Sequence, residues 1–146
     1  MDNKTPSFSK YGKDFQESLC QMILQDRPFA DQIMEVLDIN FLELHYLRVF
    51  VKKIFDYRDK YEVHPTYKTM ISIIRADIEG ENAATQQQLR NYFARIHNTK
   101  VNGSEYVKSI ALDFCRKQKL KEAMIKSVSL LQNSSFDEIA KIINDA

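Results

Sequence analysis

An all-α fold is predicted for this chain, and three observations predict it. The 146 residues hold only three glycines and three prolines, too few turn formers for a sandwich of many short strands. Apolar residues recur at three- and four-residue spacing, and no stretch alternates apolar with polar as a half-buried strand would. Helix-start signals punctuate the chain, each placing a capping Ser, Thr, Asp or Asn before an apolar periodic run. The architecture expected is a compact bundle of about five helices followed by a protruding antiparallel αα-hairpin.

Residues 1–12 are polar, carry Pro6 and scattered serines, and read as a flexible N-terminal arm. The first helix is expected over 13–25, with Phe15, Leu19, Met22 and Ile23 on one face. Asp26 can cap the second, whose first turn tolerates Pro28 because the missing N–H has no helical partner there. Its apolar face is Phe29, Ile33, Val36 and Leu37. Asn40 with Glu43 resembles a capping box for a third helix reaching residue 61. The broad stripe of that helix, from Leu42 through Tyr46, Val49, Phe50, Ile54, Phe55 and Tyr57, suits the centre of a bundle.

Val63-His64-Pro65-Thr66 breaks the pattern, since a residue before proline is pushed out of the helical region. Thr66 opens a fourth helix with Tyr67, Met70, Ile71, Ile74 and Ile78, and Gly80 is expected to stop it. Residues 81–84 form a polar connector, and Thr85 with Gln88 reads as the capping box of a fifth helix carrying Leu89, Tyr92, Phe93 and Ile96. The helical head thus covers 13–98. A turn-forming linker, 99–103, separates it from the hairpin, 104–146. The second hairpin helix would open on the Ser135–Glu138 box and present Phe136, Ile139, Ile142 and Ile143.

Residues 104–132 contain no Gly or Pro and make one helix roughly 43 Å long at about 1.5 Å per residue. On a helical wheel Val107, Ile110, Ala111, Phe114, Ile125 and Val128 share a face that could pack on the second hairpin helix. A second apolar set, Leu112, Leu120, Ala123 and Leu130, lies on the far side. A short hairpin partner cannot bury both, so one face meets either the head or another chain. We take the far set as the candidate protein contact, with Arg116 and Lys119 at its polar rim.

Little in the chain points to catalysis. It has no phosphate-cradling G-x-x-x-x-G-K-[ST] loop and no G-x-G-x-x-G turn. His45, His64 and His97 are dispersed, and Cys20 and Cys115 match no metal-ligand spacing, so no metal or cofactor is expected. The two thiols suit buried packing in a reducing compartment. No signal peptide and no run of 18 apolar residues is present, so neither secretion nor membrane spanning is expected. The formal net charge is +1. That is far from the basic excess of a protein living by phosphate contacts, although the segment 104–126 is locally basic with six basic and three acidic residues.

In order and texture the stretch LDINFLELHYLRVFVKKIFDYRDKYEVHPTYKTM, following a short amphipathic helix, resembles the N-terminal domain of hexameric replicative DNA helicases of the DnaB type, including those of large tailed phages. The family's Val-x-Pro-[ST] turn is matched by Val63-His64-Pro65-Thr66. Its hairpin opening is similar to Tyr106-Val107, Ala111, Arg116 or Lys117, Leu120 and Ala123. The resemblance covers roughly residues 13–146 and rests on helix punctuation in the right order.

It implies a helical head with a protruding hairpin, pairing of hairpins between subunits, assembly into the collar of a hexamer, and docking of primase or a helicase loader. The ATP-driven motor of that family follows a linker helix, and neither is found before Ala146; the chain reads as a fragment of a longer helicase or a stand-alone phage protein. The expected function is a non-catalytic oligomerisation and docking domain in DNA replication, cytoplasmic in a bacterial cell or phage-infected host, with DNA contact only indirect or weak. The alternatives are a small helical nucleic-acid-binding protein using the Arg116–Lys126 face, or an adaptor gripping a host protein.

Overall fold

In the computed structural model, which describes residues 6–133 and 136–145, all regular structure among the described residues is helical. The α-helices are α1 (Gly12–Gln25), α2 (Arg27–Ile33), α3 (His45–Tyr61), α4 (Tyr67–Asp77), α5 (Ala83–Ile96), α6 (Ser104–Gln132) and α7 (Phe136–Asp145). Single 3-10 turns at Ser9–Tyr11, Ile39–Phe41 and Ile78–Gly80 join them. Helix α1 packs on α2, α3 and α6, while α3 carries α4 and α5 on its other sides. Helix α7 packs on α6.

The hub position of α1 explains why it buries more than its apolar stripe. Leu19, Cys20, Ile23 and Leu24 are in the core, but Gln16, Glu17 and Gln21 are buried too. Buried polar groups need partners, and each finds one on another element. The Glu43 N–H donates to Gln16 Oε1 at 2.8 Å, and Gln21 Nε2 donates to the Thr99 carbonyl at 3.1 Å. Glu17 receives both terminal nitrogens of Arg95, at 2.8 and 2.7 Å, and the Tyr46 hydroxyl at 2.8 Å. Burial alone would raise the Glu17 carboxyl, but Arg95 and Tyr46 outweigh it and hold it below the usual carboxylate range.

Several helix starts follow the expected capping chemistry. Asp26 accepts the Phe29 N–H at 3.1 Å with Pro28 in the first turn, and Thr66 Oγ1 accepts the Thr69 N–H at 3.1 Å. Others differ. Asn40 and Glu43 do not form a capping box: Asp38 accepts the Asn40 N–H at 2.9 Å and stabilises a 3-10 turn, and α3 starts only at His45. Glu43 is instead spent on the tie to Gln16. Helix α5 starts two residues before Thr85, because Asn82 Oδ1 takes the Thr85 N–H at 2.8 Å; Thr85 itself is buried. Gly80 is no left-handed cap, since α4 ends at Asp77 and tightens into a 3-10 turn. The Ser135 box and the side chains of Phe136 and Ile139 lie outside the described residues.

The arm expected over 1–12 is corrected at its C-terminal end. Phe8 is fully buried, its N–H donates to the Phe41 carbonyl at 2.8 Å, and its ring lies 4.7 Å from Phe114 and 6.2 Å from Phe41. An aromatic ring with that much area to remove from water outweighs the entropy of ordering a few residues. Phe8→Ala should therefore cost about 3 kcal/mol of stability by urea denaturation, the lower end for an emptied aromatic site.

The Val63-His64-Pro65-Thr66 turn forms a second tie. His64 Nε2 donates to the Leu24 carbonyl at 2.6 Å, and its Nδ1 accepts from Arg58 Nη1 at 2.6 Å, which fixes a neutral ring. Arg58 also pairs with Asp31. The charged groups near the ring include Arg58 from α3, Arg27 and Asp31 from α2, and Asp26, the residue that caps α2. Burial pushes His64 below its ordinary value of 6.5, and the two arginines add to this against the Leu24 bond and Asp31. A base that is lowered by folding binds fewer protons in the folded state, so its contribution is full above about pH 6.5 and fades as pH falls through that value. The melting temperature should drop between pH 7 and 5, and His64→Gln should flatten that limb while leaving the carboxylate-driven loss below about pH 4 intact.

Candidate interaction surface

Helix α6 divides into two halves with different surroundings. In the first, Val107, Ala111 and Cys115 recur every four residues and are buried against the head, with α1 and α2 as the packed neighbours. Phe114 joins Phe8 and Phe41 in a cluster of rings, 5.3 Å from Phe41 and edge-on to it. Lys108 Nζ reaches Asp26 at 3.0 Å, and Lys119 Nζ donates to the Glu35 carbonyl at 3.1 Å. Lys119 marks the edge of the head on this helix.

Beyond that edge the apolar residues stay open. Leu120, Met124, Ile125, Val128 and Leu131 are between 52 and 61% exposed, although their spacing is that of a helix face made to be covered. Ala123, Ser127 and Leu130, also at helical spacing, are partly covered instead. Ala123 lines a groove with Ile142 of α7, which identifies this as the side where α7 packs. Lys117 and Lys121 flank the open strip; Lys117 pairs with Asp113 at 2.9 Å.

This arrangement corrects the sequence assignment of faces. Leu112, expected to face outward, is partly buried against the core. Ala123 and Leu130, expected in the same outward set, lie on the side taken by α7, and Lys119 is engaged with the head. Of the six expected contact residues, Arg116, Lys119 and Leu120 are exposed, Lys119 with its amine on the Glu35 carbonyl. Ile125 and Val128, expected beneath the hairpin partner, are open, and Met124 and Leu131 join them. The reason is geometric. At about 100° per residue, the Val107–Cys115 face that meets the head, the Ala123–Leu130 side taken by α7 and the strip around Met124 lie roughly a third of a turn apart, so neither neighbour covers the strip. A wheel plotted from sequence shows both apolar faces but not which neighbour claims which.

The other candidate chemistries find no assembled site. Among the described residues no three His, Cys, Asp or Glu side chains are grouped to hold a metal ion. Cys20 and Cys115 are buried free thiols; burial raises both, Cys115 to about 12, which leaves them protonated and unreactive. His45 and His97 are exposed, one pairing with Glu81 at 3.0 Å and the other stacked on Tyr67 at 4.8 Å. No described helix is long and apolar enough to cross a membrane. Comparison with known proteins finds no family model, no curated protein and no solved structure that matches this chain significantly.

Thiol labelling separates the two halves of α6. In the folded chain neither native cysteine should react with a maleimide, whereas Met124→Cys should label as fast as a free thiol in dilute protein. Slow labelling there, or fast labelling of Cys115, would contradict the division.

Proposed function

We propose that this chain is a non-catalytic oligomerisation and docking domain, of the kind that builds the collar of DnaB-type replicative helicases and receives primase or a loader. The observation that carries the interaction reading is the open strip of Leu120, Met124, Ile125, Val128 and Leu131 on the half of α6 beyond the head. Side chains of that size expose roughly 500 Å² of apolar surface, the scale at which a patch marks a contact rather than chance. The helicase context is supported by the order of helix punctuation, above all the Val63–Thr66 turn and the opening of α6.

A second copy of the chain is the occupant that fits the strip. Two α6 helices laid antiparallel about a two-fold axis near Met124 would set strip on strip, with Leu120 of one copy against Val128 of the other. That arrangement is isologous, as closed dimers require. It also brings each copy's Lys117 and Lys121 toward the partner's α6 C-terminus. No basic residue occupies the last turn there, and the helix dipole is negative. In this reading α7 backs α6 in an αα-hairpin and stiffens it for pairing.

Light scattering over a concentration series tests the proposal. The chain should pass from monomer to dimer or higher in the micromolar range, and Met124→Asp with Val128→Asp should weaken association at least tenfold without lowering the melting temperature. Leu112→Asp should unfold the head instead, because that residue lies against the core. A strict monomer at high micromolar concentration, unchanged by the double variant, would refute self-association through α6.

A further inference from the structure

The groove between α4 and α5 lies apart from the α6 strip and has a chemistry of its own. Both helices rest on α3 and touch each other sparsely. At one end they are tied by the Tyr67 hydroxyl, which donates to the Phe93 carbonyl at 2.7 Å. From there a trough opens with Ile71, Ile74 and Phe93 along its floor and Arg75 and Arg90 on its opposite banks. Ile71 is only partly covered, while Ile74 and Phe93 are buried beneath it.

The two arginines are the informative feature. Both are exposed, and neither belongs to an ion pair among the described residues, although Lys53, Arg58, Arg95, Lys108 and Lys117 each meet a carboxylate. Arg90 has only a 3.3 Å contact to the Gln86 side chain. Lys68 sits seven residues before Arg75, on the same side of α4, and extends the positive bank. Two like charges facing each other across an apolar trough are relieved by an anion bound between them, and a guanidinium takes a carboxylate through two parallel hydrogen bonds.

We propose that the α4–α5 groove is a docking site for an acidic segment of another protein, which sets one or two large apolar side chains on Ile71 and Ala94 and pairs its carboxylates with Arg75 and Arg90. An apolar floor between cationic banks matches an amphipathic peptide. It matches nucleic acid poorly, because the Phe93 ring in the floor is buried and offers no open face to a base, and the fixed positive groups are too few to track a phosphate backbone. The site goes beyond the self-association surface and is independent of it.

A display library of random 16-residue peptides tests this, panned on the full chain and counter-selected on Arg75→Glu with Arg90→Glu. Both positions are exposed, so the variant should keep the parent's circular dichroism and melting temperature; Arg75→Gln with Arg90→Gln serves as a second counter-selection target. Surviving peptides should carry several Asp or Glu residues around Leu, Ile or Phe at three- or four-residue spacing. They should bind at least tenfold more weakly to either variant and shift the amide resonances of Ile71, Arg75 and Arg90. No enrichment, enrichment of neutral or basic peptides, or shifts elsewhere on the chain would overturn the proposal. So would single-stranded DNA that binds these same residues more tightly than the peptides.

Discussion

A helix of about 43 Å rests on a head that covers only its first half, and the rest of the structure is organised around that mismatch. The covered half is fixed firmly. Val107, Ala111 and Cys115 interlock with α1 and α2, Phe114 closes an aromatic cluster with Phe8 and Phe41, and Lys108 reaches the residue that caps α2. An α-helix is stiff over a few turns, so anchoring one half dictates the direction of the other. The open half therefore presents its apolar strip at a set angle to the head. A partner that bound there would not have to order the strip, which would remove part of the entropy cost of association.

Helix α1 does the corresponding work inside the head. It is covered on several sides, and its buried polar side chains reach α3, α5 and the segment before α6. The Glu17–Arg95 pair illustrates the balance. A carboxylate with so little exposure would be costly alone, but two guanidinium bonds and a tyrosine hydroxyl satisfy it. Arg95 is half open to water and stacks over Tyr92, so the pair is a link between α1 and α5 rather than a sealed core charge. Since Gln21 also holds Thr99, the loop leading into α6 is registered on the same helix that receives α6.

Much of this was legible in the sequence because it is local. The Asp26 and Thr66 caps, the break at Pro65 and the extent of α6 depend on residues within a few positions of one another. Misreadings arose where a residue had a distant alternative. Glu43 satisfies the cap pattern with Asn40, but Gln16, 27 residues away, binds it instead. Thr85 could cap a helix, but Asn82 reaches its N–H first and the threonine is drawn into the core. Phe8 sits in a polar arm by composition and is buried by two phenylalanines, one of them more than a hundred residues on.

The candidate surface on α6 divides in the same way. By itself the sequence determined that α6 is long and unbroken, that it carries two apolar faces, and that no neighbour as short as α7 could cover both. Those facts follow from propensity and from the 3.6-residue period, which any helix obeys. Only the tertiary structure decided that Leu112 is claimed by the head, that Ala123 and Leu130 lie on the α7 side, and that Met124, Ile125, Val128 and Leu131 are left to solvent with Leu120. Periodicity states which residues share a face. Which face is covered is a matter of where the head ends and from what angle α7 arrives, and both are set by packing among residues far apart in the chain.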